Sequence, residues 1–100
     1  MSIIDLIVNK RQDILDICSR YGATNVRIFG SCARRDYTDK SDVDVLVNMP
    51  RDIRGFDYID RLCDLEEDLA KLLGVAVDVI DETSVTGTAR NKVLKEAVAL

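Results

Sequence analysis

Apolar positions along the chain change period several times, and each change marks an element. Ile3, Ile7, Ile14, Ile17 and Cys18 fall near helical spacing and predict a helix over about 2–20. Tyr21-Gly22 ends it, with Gly22 as the C-terminal cap. Asn25 to Phe29 is a short β-branched and aromatic run, the signature of a strand. Gly30-Ser31 then opens a short helical turn that reaches about Arg35, and the polar residues 36–41 read as a loop. Val43 to Asn48 is a second strand, closed by Met49-Pro50, and 51–55 is a charged loop. The longest helix is predicted from Phe56 to Leu73, with Ile59, Leu62, Leu65, Leu69, Leu72 and Leu73 on one stripe and Gly74 as its cap. Val75 to Ile80 is a third strand. Residues 83–88 form a polar connection, and Ala89 to Ala99 is a last helix. The order α-β-α-β-α-β-α implies an α+β fold, a small mixed β-sheet covered by helices, in one domain over residues 1–100.

Two strands break the apolar pattern in the same way. Asp44 sits among Val43, Val45, Leu46 and Val47, and Asp78 sits among Val75, Ala76, Val77, Val79 and Ile80. Strand side chains alternate, so Asp42 and Asp44 point to one face. A buried carboxylate without a partner costs several kcal/mol or shifts its pKa. These acids call for positive charge, and a divalent cation with a preference for hard oxygen ligands, Mg²⁺ or Mn²⁺, supplies it. The alternative is structural pairing of each acid with an arginine such as Arg27 or Arg34. Asp81-Glu82 follows a strand end and is expected to be solvated.

Composition narrows the chemistry. Eighteen acids against 14 bases give a net charge of -4, which argues against holding nucleic acid by bulk charge. Arg34, Arg35 and Lys40 nevertheless cluster locally. The chain has no histidine, so Ser-His-Asp catalysis and His-ligated zinc are excluded. Cys18, Cys32 and Cys63 show no zinc spacing and no CxxC, and read as reduced, mostly buried thiols of a cytoplasmic protein. No secretory leader and no apolar run long enough to span a membrane is expected. Gly30 after a strand suits close backbone approach. Ser31 brings a hydroxyl to a helix start, where backbone N–H groups bind phosphate; an ordinary helix cap is the plainer reading.

Gly30-Ser31, ten residues, Asp42-Val43-Asp44 and then Asp78 on a later strand together resemble the signature of the DNA polymerase beta-type nucleotidyltransferase superfamily. Within it the chain is most similar to the minimal nucleotidyltransferases, which include the MntA-like antitoxins. One departure is Arg35, where such sequences often carry glycine; a left-handed backbone there costs an arginine about 1 kcal/mol. The resemblance implies transfer of AMP from ATP to an acceptor hydroxyl. Asp42, Asp44 and Asp78 would hold two Mg²⁺ ions, with Mn²⁺ able to substitute, and Asp78 would also help deprotonate the acceptor. Gly30 and Ser31 would contact the leaving phosphates, with Arg34, Arg35 or Lys40 adding charge. For the MntA-like group it implies a tyrosine of a partner HEPN-domain ribonuclease toxin as acceptor. Alternatives are transfer to a small molecule or another protein, and an antitoxin that acts by binding alone.

Overall fold

The computed structural model describes residues 2–36, 38 and 42–100. Two short helices lead the chain, α1 (Ile3–Asn9) and α2 (Arg11–Arg20). One continuous helix was expected here; the chain breaks at Lys10, whose backbone leaves helical geometry at φ -104°, ψ 16°. Ser2 starts α1 with a capping box, its hydroxyl accepting from the Asp5 amide while Asp5 returns the bond to the Ser2 amide. Strand β1 (Thr24–Phe29) runs directly into α3 (Gly30–Arg34), followed by β2 (Val43–Asn48), α4 (Gly55–Leu73) and β3 (Val77–Asp81). A 3₁₀ turn (Glu82–Ser84), helix α5 (Gly87–Glu96) and a two-residue strand β4 (Val98–Ala99) complete the fold. The expected last helix therefore stops three residues early. Val98 and Ala99 pair instead with Ile28 and Arg27, a tertiary contact that overrides local helix propensity.

The α+β architecture is as expected, with the sheet order β3-β2-β1-β4. β2 pairs antiparallel with β1 and parallel with β3, and β1 pairs antiparallel with β4. The β1–β2 register slips by a residue between Thr24 and Arg27. Asn25 takes a left-handed backbone at the slip, φ 52°, and its amide donates to Asn48 Oδ1. One sheet face carries Val26, Ile28, Val43, Val45, Val47, Val77 and Val79 into the core, against Ile14 and Cys18 of α2 and Leu65, Leu69 and Leu73 of α4. The other face carries Arg27, Phe29, Asp44, Leu46, Asp78 and Ile80. On that side α5 packs against β1 and α3, and the 3₁₀ turn against β2. No helix among the described residues is long and apolar enough to cross a membrane.

Candidate active site

The parallel register puts Asp44 directly beside Asp78, and the antiparallel register puts Phe29 on the other flank of Asp44. The chain leaves Phe29 through Gly30, at φ +71°. A Cβ built on Gly30 would collide with the Asp44 carboxylate oxygen Oδ2. Glycine is thus required twice, for the left-handed backbone and for the room that Asp44 occupies. Asp44 is half-buried, while Asp42 and Asp78 are exposed, so the acids line the rim of the sheet and are not sunk in it as the strand pattern suggested. Burial pushes the Asp44 carboxyl above its ordinary range, the charges of Asp78 and Asp42 push it further, and Arg34 opposes the rise. Among the described residues, no ion pair or side-chain hydrogen bond engages the carboxylates of Asp42, Asp44 or Asp78. Among the described residues no buried side-chain oxygen or nitrogen is left without a partner, so the unpaired oxygens of Asp44 reach solvent.

The three acids feel each other's charge without closing into a ready-made metal cage, and no group of three potential ligands does so among the described residues. Like charges in one place hold apart until a cation offsets them. The donor set itself, carboxylate oxygens only and reachable from solvent, fits Mg²⁺ or Mn²⁺.

The arginines divide. Arg27 lies on the same face and is buried, but its partner is Glu82, Nη1 to Oε1 at 2.5 Å, with further bonds to the Asn25 carbonyl and Asn48 Oδ1. Arg90 also binds Glu82, at 3.1 Å, and these two arginines hold the Glu82 carboxyl below its ordinary range. The expectation of a solvated Asp81-Glu82 is therefore corrected. Asp81 is 4% exposed, accepts from the Tyr58 hydroxyl at 2.7 Å and caps the Thr83 amide. Arg34 reaches Asp36 and Glu96, each at 3.0 Å, close enough to the acids to be felt but not bonded to them. Arg35 has the left-handed backbone foreseen as costly, φ 64°. Its side chain lines a cavity of about 240 Å³ with Ile4, Val8, Ala33 and Val98, away from the acids. Lys40 falls outside the described residues.

Ser31 sits inside α3, half-buried; the cap position belongs to Phe29, whose side chain makes no capping bond, so the plain cap reading of Ser31 is lost. Cys32 beneath it donates its thiol to the Asp42 carbonyl at 3.9 Å and ties α3 to the start of β2. Burial raises the Cys32 thiol pKa. Sequence reasoning did not single out Glu66 of α4, which lies close enough to β3 to feel the charge of Asp78. Burial and the Asp78 charge raise its carboxyl. Its helical spacing gave no sign of this, because the proximity depends on how α4 lies against β3.

Comparison with known proteins agrees with this geometry. A family model described as nucleotidyltransferase domain matches residues 11–100. A Methanocaldococcus jannaschii protein provisionally named a protein adenylyltransferase is 34% identical over 92% of this chain and 84% of its own length. The protein adenylyltransferase MntA of Thermococcus cleftensis is 32% identical over 83% of this chain and 80% of its own. A solved structure described as a minimal nucleotidyltransferase superposes with a TM-score of 0.81 at 35% identity, covering 97% of this chain and 95% of that one. A toxin–antitoxin crystal structure with AMP-PNP shares the fold, at TM-score 0.72 and 19% identity over 88% of this chain and 69% of that one. Two strand-borne acids in register, a side-chain-free turn beside them and a match over nearly the whole chain converge on one assignment: the chain belongs to the nucleotidyltransferase family and is a nucleotidyltransferase enzyme.

Proposed function

We propose that this nucleotidyltransferase transfers AMP from ATP to a tyrosine hydroxyl of a partner HEPN-type toxin and so acts as an antitoxin. The observation that carries the reading is Asp44 set in register with Asp78, bonded to no arginine among the described residues, beneath a glycine that leaves its carboxylate room. Asp42, Asp44 and Asp78 would hold Mg²⁺, with Mn²⁺ able to substitute. The ions, when bound, neutralise the triphosphate and stabilise the attacking and leaving oxygens of an in-line displacement. The rest falls to the chain's own residues. Gly30 keeps the backbone close to the acids, and the Ser31 amide and hydroxyl hold the outgoing phosphates. Arg34 adds positive charge from nearby, and Lys40 is assigned the same role. The acceptor oxygen forms the new bond to the α-phosphorus, the bond to pyrophosphate breaks, and Asp78 takes the hydroxyl proton. Arg35, which lines the cavity beside α1, is left out of this reading.

The adenylyltransferase names of the relatives and the toxin–antitoxin neighbour bound to AMP-PNP support a protein acceptor and an ATP donor. The reading sets the protein in the cytoplasm, where ATP and reduced thiols coexist; Cys18, Cys32 and Cys63 are all free. The test is incubation of the purified chain with labelled ATP, Mg²⁺ and the product of the neighbouring gene. Mass spectrometry is expected to show AMP on a tyrosine of that product, lost with Asp44→Asn. A partner that is fully inhibited but unmodified would replace catalysis with binding. Label on a small molecule instead would replace the acceptor.

A further inference from the structure

Helix α4 presents two different faces. Leu65, Leu69 and Leu73 are buried, and Tyr58, Leu62 and Leu72 are half-buried against the core. On the solvent side Phe56 is 85% exposed and Ile59 53% exposed, and Cys63 is exposed beyond them. Steps of three and four residues set these side chains in one line along the helix. Ile59 was expected in the core stripe. It lies outside because the apolar spacing of α4 is wider than the face the sheet can cover. The line continues into a shallow groove floored by Ala70, Ala76 and Val77 at the β3 edge of the sheet. Single exposed apolar residues are ordinary; a contiguous line of them on one helix marks a binding surface.

The charge beside the line selects its occupant. Asp57, Asp60, Asp64 and Glu67 are exposed along one flank. Among the described residues none of the three aspartates is ion-paired; Glu67 alone has a cation, Lys71, at 3.5 Å. Arg20, Arg54 and Arg61 line the same hollow as Asp57, Asp60 and Asp64, but among the described residues none of them is ion-paired with these aspartates, and Arg61 is half-buried and directed at the Tyr21 carbonyl, 3.3 Å away. An acidic flank repels nucleic acid and attracts cationic side chains.

We propose that the solvent face of α4 is a docking strip for a basic amphipathic helix of the acceptor protein. Apolar side chains of that helix cover Phe56 and Ile59, and its lysines or arginines meet Asp57, Asp60 and Asp64, as in helix-in-groove recognition. The strip lies on α4, which packs on the sheet face opposite Asp44, so an occupant leaves Asp44 open to nucleotide. The groove at Ala76 and Val77 leads the bound protein round the β3 edge toward Asp78. The proposal rests on the reading of a protein acceptor, and its test separates the two.

The probe is a fluorescent amphipathic Leu/Lys helix, with a Leu/Glu helix of the same pattern as control, read by anisotropy. Wild type is expected to bind the Leu/Lys helix and not the Leu/Glu helix, more weakly as salt rises. Phe56→Ala/Ile59→Ala and Asp60→Lys/Asp64→Lys are each expected to weaken binding at least about tenfold. Both should melt like wild type and bind an ATP analogue unchanged. Asp44→Asn should keep full helix binding. Undiminished binding by either double variant, or no preference between the two helices, overturns the proposal. So does a wild-type dimer in sedimentation that Phe56→Ala/Ile59→Ala splits, since the strip would then belong to a second copy. Peptide binding that obeys these rules while no protein accepts AMP would leave the strip standing and remove the acceptor reading instead.

Discussion

One face of the sheet carries two sets of charged side chains that meet opposite fates. At one end Arg27, Glu82 and Arg90 are joined to each other and to Asn48, and Arg27 is buried by the arrangement. At the other end Asp42, Asp44 and Asp78 gather charge of one sign with no bonded partner among the described residues. The same strands supply both ends, Arg27 lying across from Leu46 and Phe29 across from Asp44. The difference teaches that one set of charges is neutralised within the fold, while the other is left without a bonded partner among the described residues.

Asp44→Asn breaks this comparison most directly. Nucleotide transfer should fall by at least about 10²-fold, the loss typical of an electrostatic catalytic group. The metal-free protein should be at least as stable as wild type, because a repelled charge is removed at nearly constant shape. Rate assays and denaturant melts on the same preparation check both. Had Asp44 been half of a buried ion pair, the melt would drop and transfer would survive. Gly30→Ala comes next. It forces a left-handed alanine into the Asp44 carboxylate and should cost about 2–4 kcal/mol together with most of the transfer rate, as seen by urea unfolding and turnover of the folded fraction.

Glu82→Gln tests the compensated end. Stability should fall while transfer by the folded fraction persists. The two ends also differ in pH response. Glu82 has a lowered pKa, so its contribution is full above its ordinary 4.5 and disappears as the pH falls through the lower folded value. Wild type and Glu82→Gln should therefore converge in acid. Asp44 has a raised pKa, so its cost exists at neutral pH and fades as the pH falls through that raised value. The advantage of Asp44→Asn should likewise vanish in acid, and thermal melts across the carboxylate range show both convergences. Arg35→Gly is the smallest change. It relieves a left-handed arginine, should raise stability by up to about 1 kcal/mol, and should leave transfer unchanged.

What the sequence made legible was local. Asp44 and Asp78 stood out because a carboxylate interrupts an apolar strand, Asp42 because it lies two residues before Asp44, and Gly30 because a strand ends there. Gly74 closed its helix where expected, at φ 72°. What was hidden depended on distant partners. The Arg27–Glu82 pair spans 55 positions, and no local rule separates Glu82 from an ordinary surface acid. Val98 and Ala99 are strand only because β1 has a free edge to pair with. Ile59 follows the helical period of the core and still lies outside, since the period says which side chains align and not how wide the covered face is.

The parallel pairing of β2 and β3 also has a kinetic side. Parallel strands meet only after the whole of α4 has crossed between them, and such non-local pairing forms slowly. Asp44 and Asp78 are thus pressed together at the step that closes the crossover, and their repulsion raises that barrier. Refolding should be faster for Asp44→Asn than for wild type in the absence of divalent cations. It should also speed up for wild type when Mg²⁺ is present from the start. The charge left open for a ligand becomes, in a stopped-flow trace, a brake on the chain's own collapse.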